Sequence, residues 1–409
     1  LRILMLAQFY PPIIGGEERF VRDLSVELVA RGHEVVVATL WQKGLKEFEI
    51  EKGVRIYRVH SLMERLPFLH SDEGRRHAPS FPDPGVTLAL RKIVAAEKPE
   101  IVHAFNWMVH SYLPLKAMSK VPLVLSLCDY SFNCVTKKLV YKDAPCSGPS
   151  ITKCPGCAVE HYGWAIGTVT VTTNQISGWF EKLAVDMFLP VSTAVAIGTG
   201  LTSKKLPYRV LPNFVADNIA EAQGDFEQYL AQLPNEPYMM YAGAFGRYKG
   251  LDVLFEAYGK LQNIPPLVVI GYDTNESPVQ TVNLPENVRV LKNWPNNAVM
   301  EAWRRSSIAL VPSVWAEPFG IVVLEAMATG RPVIASRIGA LSDIVLDGET
   351  GLLVTPDSAT ELSQAIERLV GDPALREQMG QAGRQRLAEF KASSVVPCYE
   401  EVYHEMIRR

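Results

Sequence analysis

Cysteine is scarce in this chain, and most of what there is lies in one place: six in 409 residues, four of them between Cys134 and Cys157. A secreted disulfide framework spreads its cysteines along a short chain, so this clustering points to a metal rather than to bridges. An excess of one charge is also missing. The 41 Lys and Arg stand against 44 Asp and Glu, a net charge of -3, which excludes the basic footprint of a nucleic-acid binder. Long hydrophobic runs are absent too. The opening run, Leu1 to Ala7, meets Gln8 and two prolines, and the run from Ile321 to Ala328 already carries Glu325. Neither approaches the roughly twenty apolar residues of a membrane span, and the first is too brief for a signal-peptide core. The expectation is a cytoplasmic protein, with peripheral contact to a membrane surface left open.

What is present is an ordinary globular composition, 48% hydrophobic and 21% charged, on a chain too long for one core. Its rhythm is strand, turn, helix, strand. Arg2 to Ala7 leads through Gly15-Gly16 into a helical pattern with Phe20, Val21, Leu24 and Leu28 on one face, closed by Gly32 and followed by the apolar run Val35 to Ala38. Runs that are apolar throughout, alternating with amphipathic helices, predict a parallel sheet covered on both faces. The alternation continues to Leu127, broken by a loop expected over Ser61 to Pro84, and restarts at Tyr238 after turn residues around Pro212-Asn213. The reading is α/β, with two Rossmann-like doubly wound domains facing across a cleft: 1–205, carrying a Cys-rich insert at about 128–160, and 206–390, with a last helix over 391–409 crossing back to the first domain.

The most informative segment runs from Pro312 to Ala335. A strand ends in Pro312-Ser313, a loop carries Glu317, Gly320 opens a helix, and Glu325 follows within it. A helix N-terminus offers unpaired N–H groups and partial positive charge, which suits a diphosphate, and Gly320 admits it close to the backbone. Carboxylates accept from hydroxyls, so Glu317 is assigned to the transferred sugar and Glu325 to the ribose of a nucleotide.

This segment, with seven residues between its glutamates around Pro318-Phe319-Gly320, resembles the donor-binding motif of the family 4 retaining glycosyltransferases of the GT-B fold. The resemblance extends through Gly330-Arg331-Pro332, Gly339 and Asp347 to Val354, and to Gly15-Gly16 and Pro212-Asn213, so that it covers nearly the whole chain. It implies transfer of a sugar from a nucleotide diphosphate-sugar donor to a glycan, a lipid-linked or a small-molecule acceptor. No organic cofactor and no catalytic metal are implied. The binding residues it implies are Gly15 and Gly16, in a loop facing the phosphate or the acceptor, and Gly243, Lys249, Glu317, Phe319, Gly320, Ile321, Val322 and Glu325 on the donor side. Lys249, just before the helix that follows the first strand of the second domain, is a cation placed to neutralise the leaving diphosphate. Glu317, Lys249, Asp129 and Arg247 are the catalytic expectations.

Two positions depart from the family pattern. Where an arginine is usual after Gly243 stands Ala244; Arg247, three residues on, either substitutes or points to solvent. Where a histidine is usual before Asp129 stands Cys128, read here as a buried small residue. Asp129 keeps its place to orient acceptor or sugar, and His103 is open between a structural and a site role. These departures motivate an alternative, a catalytically silent nucleotide-sugar-binding protein. In the insert, Cys154-Pro155-Gly156-Cys157 has the short knuckle form that holds two thiolates on one metal, and Cys134 and Cys146 complete a tetrahedral set. The expectation is a structural zinc ordering a segment without helix or strand of its own, with free thiols or a disulfide as the alternatives.

Overall fold

The computed structural model describes residues 1–409 apart from 14, 66–77, 143, 222, 223, 225, 275, 276, 278, 280–283 and 286. The chain folds as two units, Leu1–Asn213 together with Val395–Arg409, and Phe214–Ser394. Most of the loop expected over Ser61 to Pro84 lies outside the described residues; its first turn is a 3-10 segment at Leu62–Arg65, and a helix begins at Pro84 behind the Asp83 N-cap.

The first unit is built on β1 (Arg2–Leu6), β2 (Glu34–Leu40), β3 (Phe48–Glu51), β4 (Val54–Val59), β5 (Ile101–Phe105) and β6 (Leu123–Leu127). A small hairpin, β7 (Val140–Tyr141) with β8 (Ala144–Pro145), precedes the last strand of the sheet, β9 (Met187–Pro190). The sheet order is β3-β4-β2-β1-β5-β6-β9, parallel except for the antiparallel edge strand β3. Strands β1, β5 and β6 are buried at nearly every position, which is why they read as apolar runs without alternation. The second unit carries β10 (Tyr238–Phe245), β11 (Leu267–Asp273), β12 (Val288–Lys292), β13 (Ser306–Val311), β14 (Val333–Ser336) and β15 (Gly351–Val354). Its order, β12-β11-β10-β13-β14-β15, is the doubly wound one, and it reverses between β10 and β13; in the first unit the reversal falls between β1 and β5.

Three elements differ from the expectation. The helix predicted over Met108 to Met118 is instead a 3-10 segment, Asn106–Ser111, and a single turn, Leu113–Lys116. The insert, expected to lack regular structure, holds the β7–β8 hairpin and a helix over Lys153–Tyr162 that includes Cys154 and Cys157. Pro155 sits in that helix's first turn, where its missing N–H breaks no bond. A long helix at Trp164–Ala184, which the sequence reading did not anticipate, packs on it. The last helix, Ala392–Arg408, belongs to the first unit from Val395 on, where Tyr399 and Tyr403 are buried and Arg209 meets Glu405 at 3.0 Å.

Candidate active site

In open α/β sheets, ligands bind beyond the carboxyl ends of the strands where the order reverses. In the second unit that place lies after β10 and β13. The turn after β10 passes through a 3-10 segment, Arg247–Lys249, and the loop after β13 runs from Pro312 to Gly320. Val314 N–H donates to the Tyr248 carbonyl at 3.0 Å, pinning the two loops together. The result is an ion pair: Lys249 Nζ donates to Glu317 Oε1 at 2.6 Å, and Ser313 Oγ donates to the same oxygen at 2.7 Å. Glu317 is 5% exposed, and the Lys249 ammonium also lies 5.3 Å from the centre of the Trp315 ring. A buried carboxylate needs such partners.

Gly320 follows as the N-cap of helix Ile321–Ala328, with a left-handed φ of 101° and no side-chain cap among the described residues. Phe319 is buried and packs edge-on against Phe390, while Ile321 and Val322 are half-buried. Glu325, in the second turn, is 6% exposed and accepts from Asn296 Nδ2 at 2.9 Å. Gly243 stands near the end of β10, and the neighbouring Ala244 is buried. Arg247 is not brought to this group: its side chain is 66% exposed and its Nε lies 3.6 Å from Asp252. The sequence reading missed Ser313, Asn296 and Trp315. Only Ser313 had a signal, its place directly after an apolar strand.

The first unit makes a second polar cluster at its own reversal point. Gly15, extended at φ -170°, and exposed Gly16 open the helix Gly16–Ala30, so that Glu17 and Glu18 stand in its first turn. Asn106, directly after β5, joins two elements: its Nδ2 donates to Glu17 Oε2 at 2.7 Å and its Oδ1 accepts from the Cys128 N–H at 3.3 Å. Burial foremost, and then the charges of Glu18 and Asp129, push the Glu17 carboxyl up to about 8. The Cys128 thiol is likewise pushed up by burial and by Glu17, which keeps it an un-ionised small residue. Asp129 accepts from Ser131 N–H at 2.8 Å. His103 resolves as structural: it is fully buried between Tyr403 Oη and Ser126 Oγ, each at 2.7 Å, and burial lowers it to about 3.

Cys134, Cys146, Cys154 and Cys157 border one cavity of about 40 Å³. The helix over Lys153–Tyr162 puts Cys154 and Cys157 on one face, three residues apart. Ser150 N–H points at Cys154 Sγ at 3.2 Å, and burial together with the other three thiols pushes the Cys157 thiol up. Among the described residues the six cysteines are free thiols, and no three His, Cys, Asp or Glu side chains already stand as a metal-holding group.

A family model described as Glycosyltransferase Family 4 matches residues 14–127, and one described as Glycosyl transferases group 1 matches residues 225–386. The glycogen synthase of Mycobacterium tuberculosis is 25% identical over 424 aligned positions, covering 98% of this chain and 94% of that protein. Among solved structures, sucrose-phosphate synthase from Thermosynechococcus elongatus superposes with a TM-score of 0.77 at 22% identity, covering 99% of each chain. Anabaena HepE in complex with UDP and glucose gives a TM-score of 0.71 at 16% identity, covering 98% of this chain and 99% of that one. At these identities the two structures bear on the fold, which they share. With both family models matched in chain order, the protein belongs to family 4 of the glycosyltransferases, and is a nucleotide-sugar-dependent enzyme on the GT-B fold.

Proposed function

We propose that this enzyme transfers a sugar with retention of configuration from a nucleoside diphosphate-sugar, bound by its second unit, to a glycan, lipid-linked or small-molecule acceptor. The observation that carries the reading is the Lys249–Glu317 pair beside the uncapped start of helix Ile321–Ala328. The helix end receives the diphosphate, and Lys249 moves from Glu317 to the phosphate oxygen on which charge develops. Glu317, relieved of the lysine, accepts from hydroxyls of the transferred sugar, and Glu325, held by Asn296, accepts from the ribose. Phe319, Ile321 and Val322 line the approach, and Gly243, near the end of β10, leaves room for the donor. The complex of Anabaena HepE with UDP and glucose supports a donor of this class.

In the transfer itself the bond between the anomeric carbon and the diphosphate oxygen breaks while the acceptor oxygen bonds to that carbon on the same face. The acceptor proton passes to the leaving phosphate oxygen, which needs no divalent ion. Gly15, Gly16 and Asp129 belong to the acceptor and sugar side, with Asp129 orienting a hydroxyl. Arg247, turned to Asp252, has no part in the resting geometry and would enter only by moving.

The test is thermal denaturation with UDP, ADP and GDP in turn. At least one nucleoside diphosphate is expected to raise the melting temperature, as a ligand of the folded state does, by an amount that grows with its concentration. Glu325→Ala is expected to diminish that shift. Equal melting curves with every nucleotide and its sugars would overturn the donor site.

For the insert, the reading is a structural zinc held by Cys134, Cys146, Cys154 and Cys157. The four cysteines line one cavity, so a zinc held by their thiolates would supply the cross-link that orders the insert. The purified chain is expected to carry one equivalent of zinc by mass spectrometry of the element, and to melt lower after chelation. A metal-free chain of unchanged stability would refute it.

A further inference from the structure

The helix Trp164–Ala184 is turned inside out. Its inward face is small and polar: Gly167, Asn174, Ser177, Gly178 and Glu181 are buried, with Val171 the one large apolar side chain among them. The opposite face carries Trp164 (78% exposed), Val169, Ile176, Trp179 (57%), Phe180 and Leu183 (69%). A surface helix in water ordinarily does the reverse. Removing such a face from water is favourable for each large side chain it carries.

The inward face is fixed by specific contacts, so the orientation is built in. Glu181 Oε1 pairs with the buried His110 Nε2, and Ser177 Oγ donates to the Ser80 carbonyl at 2.9 Å. Gly167 packs so closely on the neighbouring helix that a Cβ there would stand 2.4 Å from the Ala158 carbonyl oxygen. On the outer side, Thr168 and Thr172 turn their hydroxyls back onto the carbonyls four residues earlier, at 2.7 and 2.9 Å. Hydroxyls satisfied in this way tolerate an apolar medium.

Charge decides what covers this face. In its 21 residues the helix has two charged side chains, buried Glu181 and the outward-leaning Lys182. Lys204 and Lys205 lie in the segment after β9; the Lys204 ammonium is part-buried, donates to the Thr199 carbonyl at 3.2 Å, and is lowered by that burial and by the charge of nearby Lys182. Asp186, just past the helix end, is occupied by Lys116 at 2.7 Å. The helix itself therefore contributes no exposed carboxylate, and its border is positive at Lys182 and Lys204; among the described residues Asp186, paired with Lys116, and Glu160, on the helix packed against it, are exposed carboxylates of the flanking segments. Indole rings with apolar side chains beside lysines are the chemistry of a bilayer interface with anionic lipid. Two copies meeting through this face would bring the lysines of one against those of the other.

We infer that the outer face of helix Trp164–Ala184, bordered by Lys182 and Lys204, docks on an anionic phospholipid surface with the helix lying in the plane of the interface. It cannot be a span: among the described residues no helix is long and apolar enough to cross a membrane. The docking goes beyond the donor reading and does not depend on it, since its residues lie in the first unit and the donor residues in the second.

The test is co-sedimentation of the full chain with vesicles of phosphatidylcholine, alone or with about 30 mol% phosphatidylglycerol. The unaltered chain is expected to bind the mixed vesicles at least about tenfold more tightly than the neutral ones, and less well as salt rises. The double variant Trp179→Ser, Phe180→Ser is expected to lose at least about tenfold in binding to the mixed vesicles. Lys182→Glu with Lys204→Glu is expected to erase the preference for anionic lipid. Trp179 and Phe180 are exposed, so their variant should keep its melting temperature; the lysine variant gives up the Lys204 bond to the Thr199 carbonyl and is compared by its stabilisation by nucleoside diphosphate, which both variants should keep. Failure of the unaltered chain to bind the mixed vesicles, or equal binding by the Trp179, Phe180 variant, overturns the inference. So does a concentration-dependent dimer in sedimentation that the same two substitutions abolish, because the face would then belong to a second copy.

Discussion

Lys249→Ala is expected to lower kcat about 100-fold or more while leaving the KM for acceptor nearly unchanged. The size follows from where charge appears. On the proposed donor pose, the diphosphate gains negative charge within reach of Lys249 when the glycosidic bond breaks, and the low-dielectric surroundings of Glu317 (5% exposed) would make a cation there worth more than in water. The substitution has a second, separable consequence. It strands Glu317, whose remaining described side-chain partner is Ser313 at 2.7 Å, and an unpaired carboxylate at that depth costs about 1–2 kcal/mol of stability. Glu317→Gln in the Lys249→Ala background removes the stranded charge and should recover much of that stability without recovering kcat. Rates and denaturant midpoints on the three variants separate the roles. A kcat within about threefold of the parent for Lys249→Ala would remove the lysine from the chemistry.

How legible this was in the sequence varies with the kind of signal. Strands β1, β5, β10 and β13 announce themselves because a strand buried on both faces is apolar throughout, and their order brings Lys249 and Glu317 together across 68 residues of sequence. Glu317, Gly320 and Glu325 were readable from their spacing around a helix start. Arg247 was not: an exposed pair with Asp252 and a substitute for the family's arginine look alike in one dimension, and only the turn geometry separates them. Asn106 was invisible for a different reason. It lies just past β5 with φ 45°, joining Glu17 to the backbone of Cys128, and nothing in Phe105-Asn106-Trp107 marks a side chain that will bridge two other segments. Helix Trp164–Ala184 escaped because its polar and apolar faces are exchanged. The search for an apolar stripe facing inward finds Gly, Asn and Ser there, and the stripe it does find faces out.

Gly339→Ala is expected to cost at least about 2 kcal/mol more stability than Gly348→Ala, and to abolish activity and nucleotide-dependent stabilisation together. The two glycines impose the same backbone demand, with φ of 59° and 80°. Alanine in the left-handed region costs about 1 kcal/mol at either place. What differs is the surroundings. A Cβ at Gly348 meets nothing within 4 Å among the described residues, whereas at Gly339 it would stand 2.5 Å from both the amide nitrogen and the carbonyl oxygen of Glu317. Those atoms are main chain and cannot rotate away. The Glu317 carbonyl is further tied, accepting from Ala340 N–H at 2.9 Å, so the loop has to move as a body. Moving it withdraws the Glu317 carboxylate from Lys249 and shifts the entry to helix Ile321–Ala328, which is why stability and donor binding should fail in the same variant. Comparing denaturant midpoints, kcat and the nucleoside diphosphate shift for the two substitutions isolates the close approach from the backbone strain they share. If Gly339→Ala cost no more than Gly348→Ala, or kept its response to nucleotide, the positioning of Glu317 by this contact would be wrong.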